Sequence, residues 1–342
     1  MDTTTIIIFS AFALSGFLLS LLVNKVLLKF SKNLGVRSQE ELVRWSAVTK
    51  PSLGGISFFI TFLIGLLTYS IVFGENDVFQ NKPLLALLIG CSLAFVMGLA
   101  DDAYNTRPLL KLLVQILIGV TFILGDTWIQ FSGNIYLDYS LTIFWVVAIM
   151  NSINMLDNMD GVSTLTTISI LVSCLFSYFI FSSEDVVFPG LMICMIATFL
   201  AFLFYNWNPS KMFMGDSGSQ FIGALIAFMG IKFLWNVNPD SLGWNWKNLI
   251  LVLVSFAPTL IDSLIVSINR ISKGKSPMVG GRDHSTHALF RMGVSDKNVG
   301  VVFMLFGLKK STELEDFEAS AAFWHMCDLI WLLLFPIIYL IF

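Results

Sequence analysis

PLLALLIGCSLAFVMGLADDAYNTRP, residues 83–108, reads in two halves. From Pro83 to Ala100 no side chain is charged; Asp101 and Asp102 then follow at once, ahead of Asn105, Arg107 and Pro108. At about 1.5 Å per residue the first half nearly spans a hydrocarbon core of ~30 Å. It is expected to be a membrane-crossing helix that delivers two carboxylates to its far edge. Adjacent carboxylates beside hydrocarbon repel each other and lose hydration, so a cation or shared proton must stabilise them. The alternative is a solvated acidic turn that stops the helix before Pro108.

The same pattern recurs outward from this stretch. Hydrophobic runs lie at about 6–28, 53–73, 83–100, 109–125, 140–154, 163–181, 187–205, 220–235, 248–269 and 321–342, with a shorter one at 299–308. Over 342 residues, 56% are hydrophobic and 13% charged, with mean hydropathy +0.81. Soluble domains carry about 25% charged residues, so there are too few here to coat a soluble surface. The fold class is therefore all-α: a polytopic integral membrane protein with about ten to eleven transmembrane helices. The first run lacks a basic n-region and a small-residue cleavage site, so it reads as a retained span. The four cysteines, at 91, 174, 194 and 327, sit in apolar stretches and form neither a disulfide framework nor a metal-type pair.

Charge sets the sidedness. Lys25, Lys29, Lys32, Arg37, Arg44, Lys50, Arg107, Lys111, Lys211, Arg270, Lys273, Lys275, Arg282, Arg291 and Lys297, fifteen in all, fall in or beside one set of alternate loops. The other set, up to residue 300, has three: Lys82, Lys232 and Lys247. By the positive-inside rule the amino terminus is outside, and loops 29–52, 101–108, 155–162, 206–219 and 270–298 face the cytoplasm.

Those cytoplasmic edges hold the polar chemistry. Asn151, Asn154, Asp157 and Asp160 recur every third residue, so neighbours in the series share a helical face. Interhelical amide bonding accounts for two buried Asn, but not for two carboxylates following at the same spacing. Asn206-Trp-Asn208-Pro209-Ser-Lys211-Met-Phe-Met-Gly215-Asp216-Ser217-Gly218-Ser219 precedes a span. It suits an anion at a helix start, although an ordinary Asp/Ser cap is the simpler expectation. Gly280-Gly281-Arg282-Asp283-His284-Ser-Thr-His287 sits in a basic loop that suits a diphosphate; anionic lipid headgroups or a zinc ion are its alternatives. With the Lys50-Pro51-Ser52-Leu53-Gly54-Gly55 turn, these clusters describe a phosphoryl-transfer site at the inner membrane surface.

The set Asp101-Asp102-x-x-Asn105, Asn151-x-x-Asn154-x-x-Asp157-Asn-Met-Asp160-Gly161, Phe213-Met-Gly215-Asp216-Ser-Gly218-Ser219 and Arg282-Asp283-His284-x-x-His287 resembles the polyprenyl-phosphate N-acetylhexosamine-1-phosphate transferases. The resemblance covers roughly residues 1–305. It implies transfer of a sugar-1-phosphate, GlcNAc-1-phosphate above all, from a UDP-N-acetylhexosamine to undecaprenyl phosphate. UMP is released, and Mg²⁺ is required, with Mn²⁺ as a substitute. A bacterial inner membrane and no nucleic-acid partner are expected alongside it, and a homodimer is one option for an oligomeric state that the residues do not fix. By resemblance Asn154 and Asp216 bind the metal. Asp101 and Asp102 orient or deprotonate the acceptor phosphate, and Asp157 and Asp160 hold the nucleotide side. Lys50, Asn105, Asn151, Arg282, His284 and His287 contact substrate. The muramoyl-pentapeptide branch usually shows three consecutive histidines where this chain has the Arg282–His287 segment, so the GlcNAc-1-phosphate branch is nearer. Two positions depart from the family pattern: Ala288 after His287, and Asn158 between the acids of the second motif.

Residues 1–308 are thus expected to form the transferase domain. Residues 309–342 form an atypical linker and final helix, and 317–342 are similar to the last helix of haem-copper oxidase subunit III, as if joined from elsewhere. A multi-pass transporter is the rival from another class. It would place ionisable groups near the midplane on broken helices, where only Asp262 and Lys232 are candidates.

Overall fold

The computed structural model describes residues 3–31, 50–72, 80–181, 186–237 and 246–272, with Gly274, Ser295, Asn298 and Val299. The run at 299–308 beyond Val299, the 309–342 tail, and Arg282, His284 and His287 lie outside the described residues. Within them are α1 (Thr3–Phe30), α2 (Gly54–Val72), α3 (Lys82–Tyr104), α4 (Pro108–Leu124), α5 (Ile135–Leu156), α6 (Val162–Phe181), α7 (Val187–Asn206), α8 (Gly215–Gly230) and α9 (Trp246–Ser272). A π-helical turn, Ile231–Trp235, continues α8. Eight of these helical segments are long and apolar enough to cross a membrane; α4, at 17 residues, is shorter. The protein is a multi-pass, all-α membrane protein.

Local chemistry sets where helices start and stop. The Asn81 side chain accepts a hydrogen bond from the Leu84 N–H at 3.1 Å and Pro83 occupies the first turn, which starts α3. Asn105, at φ 50°, ends it in the left-handed conformation, its N–H returned to the Asp101 carbonyl. Pro108 then opens α4 after a three-residue turn. Asn134 caps α5 through bonds from the Tyr136 and Leu137 N–H groups.

α8 is the axle of the bundle, with α2, α3, α5 and α6 packed around it. Between helices in lipid, association rests on close packing and interhelical hydrogen bonds, because the tails are as apolar as the side chains. Phenylalanine supplies much of that packing: Phe58 meets Phe199 and Phe202 edge-on, with ring centroids 5.0 and 4.9 Å away. Gly98 lets α3 approach the backbone of α8 closely. A Cβ there would lie 2.3 Å from the Asp216 carbonyl oxygen, a backbone atom that cannot swing aside. Gly98→Ala is therefore expected to push α3 off α8 and lower the unfolding temperature in detergent. Gly65→Ala is the control, since its nearest neighbour is at 3.5 Å and it should unfold like the parent.

Two boundaries differ from the sequence expectation. α8 begins at Gly215 rather than near 220, so the Gly215–Ser219 motif is the helix's first turn. α5 ends at Leu156, with Asp157 as its C-cap and Asp160 in the turn beyond. Hence only Asn151 and Asn154 share a helical stripe, and the two acids that continue the spacing leave it. The cause is the turn at Gly161, where φ is +76° and the chain reverses into α6.

Candidate active site

The ends of α3, α5 and α7 and the starts of α2, α4, α6 and α8 lie on one side of the bundle, as alternating connectivity requires. Three polar groups assemble there. The first joins α3, α4, α5 and α8. Asp102 reaches across to the start of α8, its two oxygens accepting from the Asp216 and Ser217 N–H groups, both at 2.9 Å. Local capping is absent: Met214 stands at the N-cap and makes no side-chain cap bond. The expected Asp/Ser cap is thus replaced by a carboxylate from another helix. Anions favour the N-terminal end of a helix dipole, so Asp102 and α8 stabilise each other. Gly215, at φ +76°, makes the contact feasible, since a Cβ there would lie 2.7 Å from the Asp102 carboxylate.

Asp101, 2% exposed, accepts from the Thr106 N–H at 2.8 Å and hydroxyl at 2.7 Å and forms an ion pair with Lys111. Its carboxyl also stands within hydrogen-bonding reach of Asp216. The Asn154 amide N–H₂ donates to Asp216 Oδ1 at 2.7 Å and to Ser219 Oγ at 2.9 Å. Three carboxyl groups thus meet one ammonium. Asp102 is matched by the helix terminus and Asp101 by Lys111. Among the described residues Asp216 forms no ion pair, which leaves a place for positive charge from a ligand.

The second group holds the loop before α8. Asp160 accepts from the Ser210 N–H at 2.9 Å, the Ser210 hydroxyl at 2.7 Å and the Asn208 amide at 3.4 Å. Lys50 lies 3.9 Å from Asp160, donates to Ser210 Oγ at 3.0 Å and sits 5.2 Å from the Phe213 ring centroid. The Lys50–Gly55 turn runs beside this loop: Phe213 N–H donates to Pro51 C=O, Gly54 N–H to Phe213 C=O and Gly55 N–H to Met214 C=O, at 2.9–3.0 Å. Behind it, Asn206 accepts from the Gly161 N–H and donates to the Met212 carbonyl, tying the second motif to the third. Asp157 takes a hydroxyl bond from Ser163 at 3.1 Å.

The third group is a layer of amides. Asn151 exchanges bonds with Gln115, at 2.9 Å and a longer 3.4 Å, and Gln115 donates to Gln220 at 3.1 Å. Of the residues expected from sequence, Asp101, Asp102, Asn154 and Asp216 converge, Lys50 and Asp160 form a second pair, and Asn105 is the exposed C-cap of α3. Sequence reasoning passed over Lys111, Gln115, Ser210 and Gln220. Gln115 and Gln220 carried the same signal as Asn151, a lone amide in an apolar run. In the sequence Lys111 shows only the sign of its charge.

Residues 84–234, which include all of these groups except the Lys50–Gly55 turn, match the family model described as glycosyl transferase family 4. Among named relatives, a probable undecaprenyl-phosphate N-acetylglucosaminyl 1-phosphate transferase of Bacillus subtilis is 25% identical over 316 residues, covering 90% of this chain and 84% of that protein. A phospho-N-acetylmuramoyl-pentapeptide-transferase of Staphylococcus carnosus is 28% identical over 246 residues, covering 64% and 74%. A decaprenyl-phosphate N-acetylglucosaminephosphotransferase of Mycobacterium leprae is 26% identical over 280 residues, covering 75% and 70%. The matched span runs from the start of α3 through α8, the helices whose ends meet around Asp216. Motifs, membrane architecture and relatives agree: over residues 84–234 the chain is similar to glycosyl transferase family 4, and along most of its length to polyprenyl-phosphate N-acetylhexosamine-1-phosphate transferases.

Proposed function

We propose that the protein transfers N-acetylhexosamine-1-phosphate, specifically GlcNAc-1-phosphate, from its UDP-sugar to undecaprenyl phosphate. The reaction releases UMP and makes the lipid-linked diphosphate sugar that starts a cell-envelope glycan. The observation that carries this reading is the meeting of Asp101, Asp102, Asn154 and Asp216, from three helices, around one carboxyl left without a cation partner among the described residues. The named relatives with GlcNAc-phosphate activity, and the 90% coverage by the first of them, favour this sugar.

An acceptor phosphate oxygen forms the new bond at the sugar-bearing phosphorus, and the bond to the uridine-side phosphate breaks. A phosphomonoester has a second pKa near about 6, so the acceptor is already anionic and the obstacle is bringing two anions together. Lys111 supplies fixed positive charge beside the carboxyls. Lys50, aligned by Asp160 and Ser210, offers a second ammonium to the nucleotide side. Asp102 sets the pitch and rotation of α8 and so aims Asp216.

Among the described residues no three His, Cys, Asp or Glu side chains form a ready cage. Mg²⁺ at phosphate sites takes only one or two carboxylates, with phosphate oxygens and waters completing its shell. Asp216, with hard oxygens and no ammonium partner among the described residues, would hold a cation arriving with the sugar nucleotide, and the Asn154 amide oxygen would be the second donor. The ion would neutralise charge on the diphosphate as the leaving group departs.

The basic bias of the loops on this side orients the site to the cytoplasm of a bacterial inner membrane. Lys50→Met should raise the KM for the UDP-sugar by about tenfold while kcat stays within about threefold, as expected where a charge-assisted contact contributes to ground-state binding. Initial-rate kinetics check this. The reading itself is tested by incubating purified protein with Mg²⁺, undecaprenyl phosphate and a panel of UDP-sugars that includes UDP-MurNAc-pentapeptide. UMP release should be greatest with UDP-GlcNAc, with the matching lipid product by mass. Silence with every donor overturns the assignment.

A further inference from the structure

The site residues stand on a second polar tier. Lys111 and Gln115 are four residues apart on α4, Asn151 and Asn154 three apart on α5, and Asp216 and Gln220 four apart on α8. On each helix such a pair occupies one face, one turn apart. The first tier holds Lys111, Asn154 and Asp216. The second holds Gln115, Asn151 and Gln220, whose side chains, among the described residues, bond only to one another and to the Val147 carbonyl. Gln115 and Gln220 are 1% and 2% exposed. Buried amides in a membrane bundle are expensive unless paired, and ordinary apolar residues would pack α4, α5 and α8 equally well.

We propose that Gln115 and Gln220 are positioning residues for transfer. Their amide chain through Asn151 locks the rotation and axial register of α4, α5 and α8, and so holds Lys111, Asn154 and Asp216 in the arrangement that meets the two phosphates. This rests on the function proposed above. The chain has a direction: Gln220 Oε1 accepts from Gln115 Nε2, and Gln115 Oε1 accepts from Asn151 Nδ2, while the second Asn151 N–H goes to the Val147 carbonyl at 2.8 Å. With both of its N–H groups committed, the Asn151 amide cannot rotate freely, and one turn on Asn154 is held facing Asp216. A small angular error at either residue would move an oxygen or an ammonium out of reach of the reacting groups, which lowers turnover rather than binding.

The test uses full-length protein in detergent or nanodiscs. Gln220→Leu and Gln220→Met keep side-chain bulk and remove the amide acceptor. Both should lower kcat about tenfold, with KM for the UDP-sugar and the lipid phosphate within about twofold and the unfolding temperature near the parent's. Gln115→Leu/Gln220→Leu should cost no more than the worse single variant, because the two act as one device. In an Asn154→Ala background, Gln220→Leu should have almost no further effect, an outcome that a purely structural role would not produce. Parent-like kcat in either Gln220 variant, or full additivity with Asn154→Ala, overturns the inference while leaving the proposed function intact. If both single variants are too unstable to isolate, the layer is structural and the inference also fails. No UMP from the parent with any donor removes both.

Discussion

Asp216→Asn should lower UMP release on the order of 10³-fold, while the protein is extracted, purified and unfolds like the parent. The size of the effect follows from charge. Asp216 is the carboxyl with no ammonium in direct contact among the described residues, so it is the one placed to meet a ligand-borne cation. Removing one preorganised electrostatic group from a site sheltered from water typically costs about 10²–10³ in rate. Here the lost group also anchors the ion proposed to neutralise the diphosphate. An Asn side chain keeps the shape and one acceptor oxygen for Asn154, which now lies 2.7 Å away, so packing survives. A single-turnover assay with radiolabelled UDP-GlcNAc reads the loss directly. Activity within about tenfold of the parent would remove Asp216 from the proposed cation site.

Asp102→Ala should fail differently, losing stability and activity together. Among the described residues Asp102 is the only side chain found capping α8, through two bonds of 2.9 Å to the Asp216 and Ser217 N–H groups. Each bond to an ionised acceptor contributes about 1.5–3 kcal/mol net, and both donors would be left facing an apolar methyl group at a half-buried helix end. The first turn of α8 should fray, which displaces Asp216 and Ser219 together. The expected result is a clearly lowered unfolding temperature and a rate at least about 10²-fold below the parent. Asp102→Asn sharpens the contrast. It offers one acceptor oxygen but sets an amide N–H₂ against a backbone N–H, so it should recover part of the stability and little of the rate. Thermal unfolding and UMP release measured on the same preparations separate the two aspartates: Asp216→Asn moves only the second quantity, Asp102→Ala moves both.

The helical membrane architecture was legible because burial in lipid imposes a composition that no soluble fold requires. All nine apolar runs from 6–28 to 248–269 overlie helices of the structure. The second and third motifs were legible as places where polar groups interrupt such runs. Helix ends were less so: Asp157 and Asp160 keep the three-residue rhythm of Asn151 and Asn154 in sequence, yet the chain has already left the helix at Leu156. A rhythm persists on paper after the hydrogen-bond ladder that gives it meaning has stopped.

What residues 1–305 determined by themselves is a set of membrane-spanning segments with carboxylates, amides and bases gathered at the ends on one side. Hydrophobic length and the placement of charge are local properties and need no partner to be read. Which carboxylate does what was decided only in three dimensions. Asp101 and Asp102 are neighbours of like chemistry, but α3 turns one toward Lys111 and Thr106 and the other onto the start of α8. Gln115 and Gln220 lie 105 positions apart and meet only because α4, α5 and α8 pack side by side. A carboxylate or an amide takes its role from the donor it faces, and that donor is supplied by a different helix.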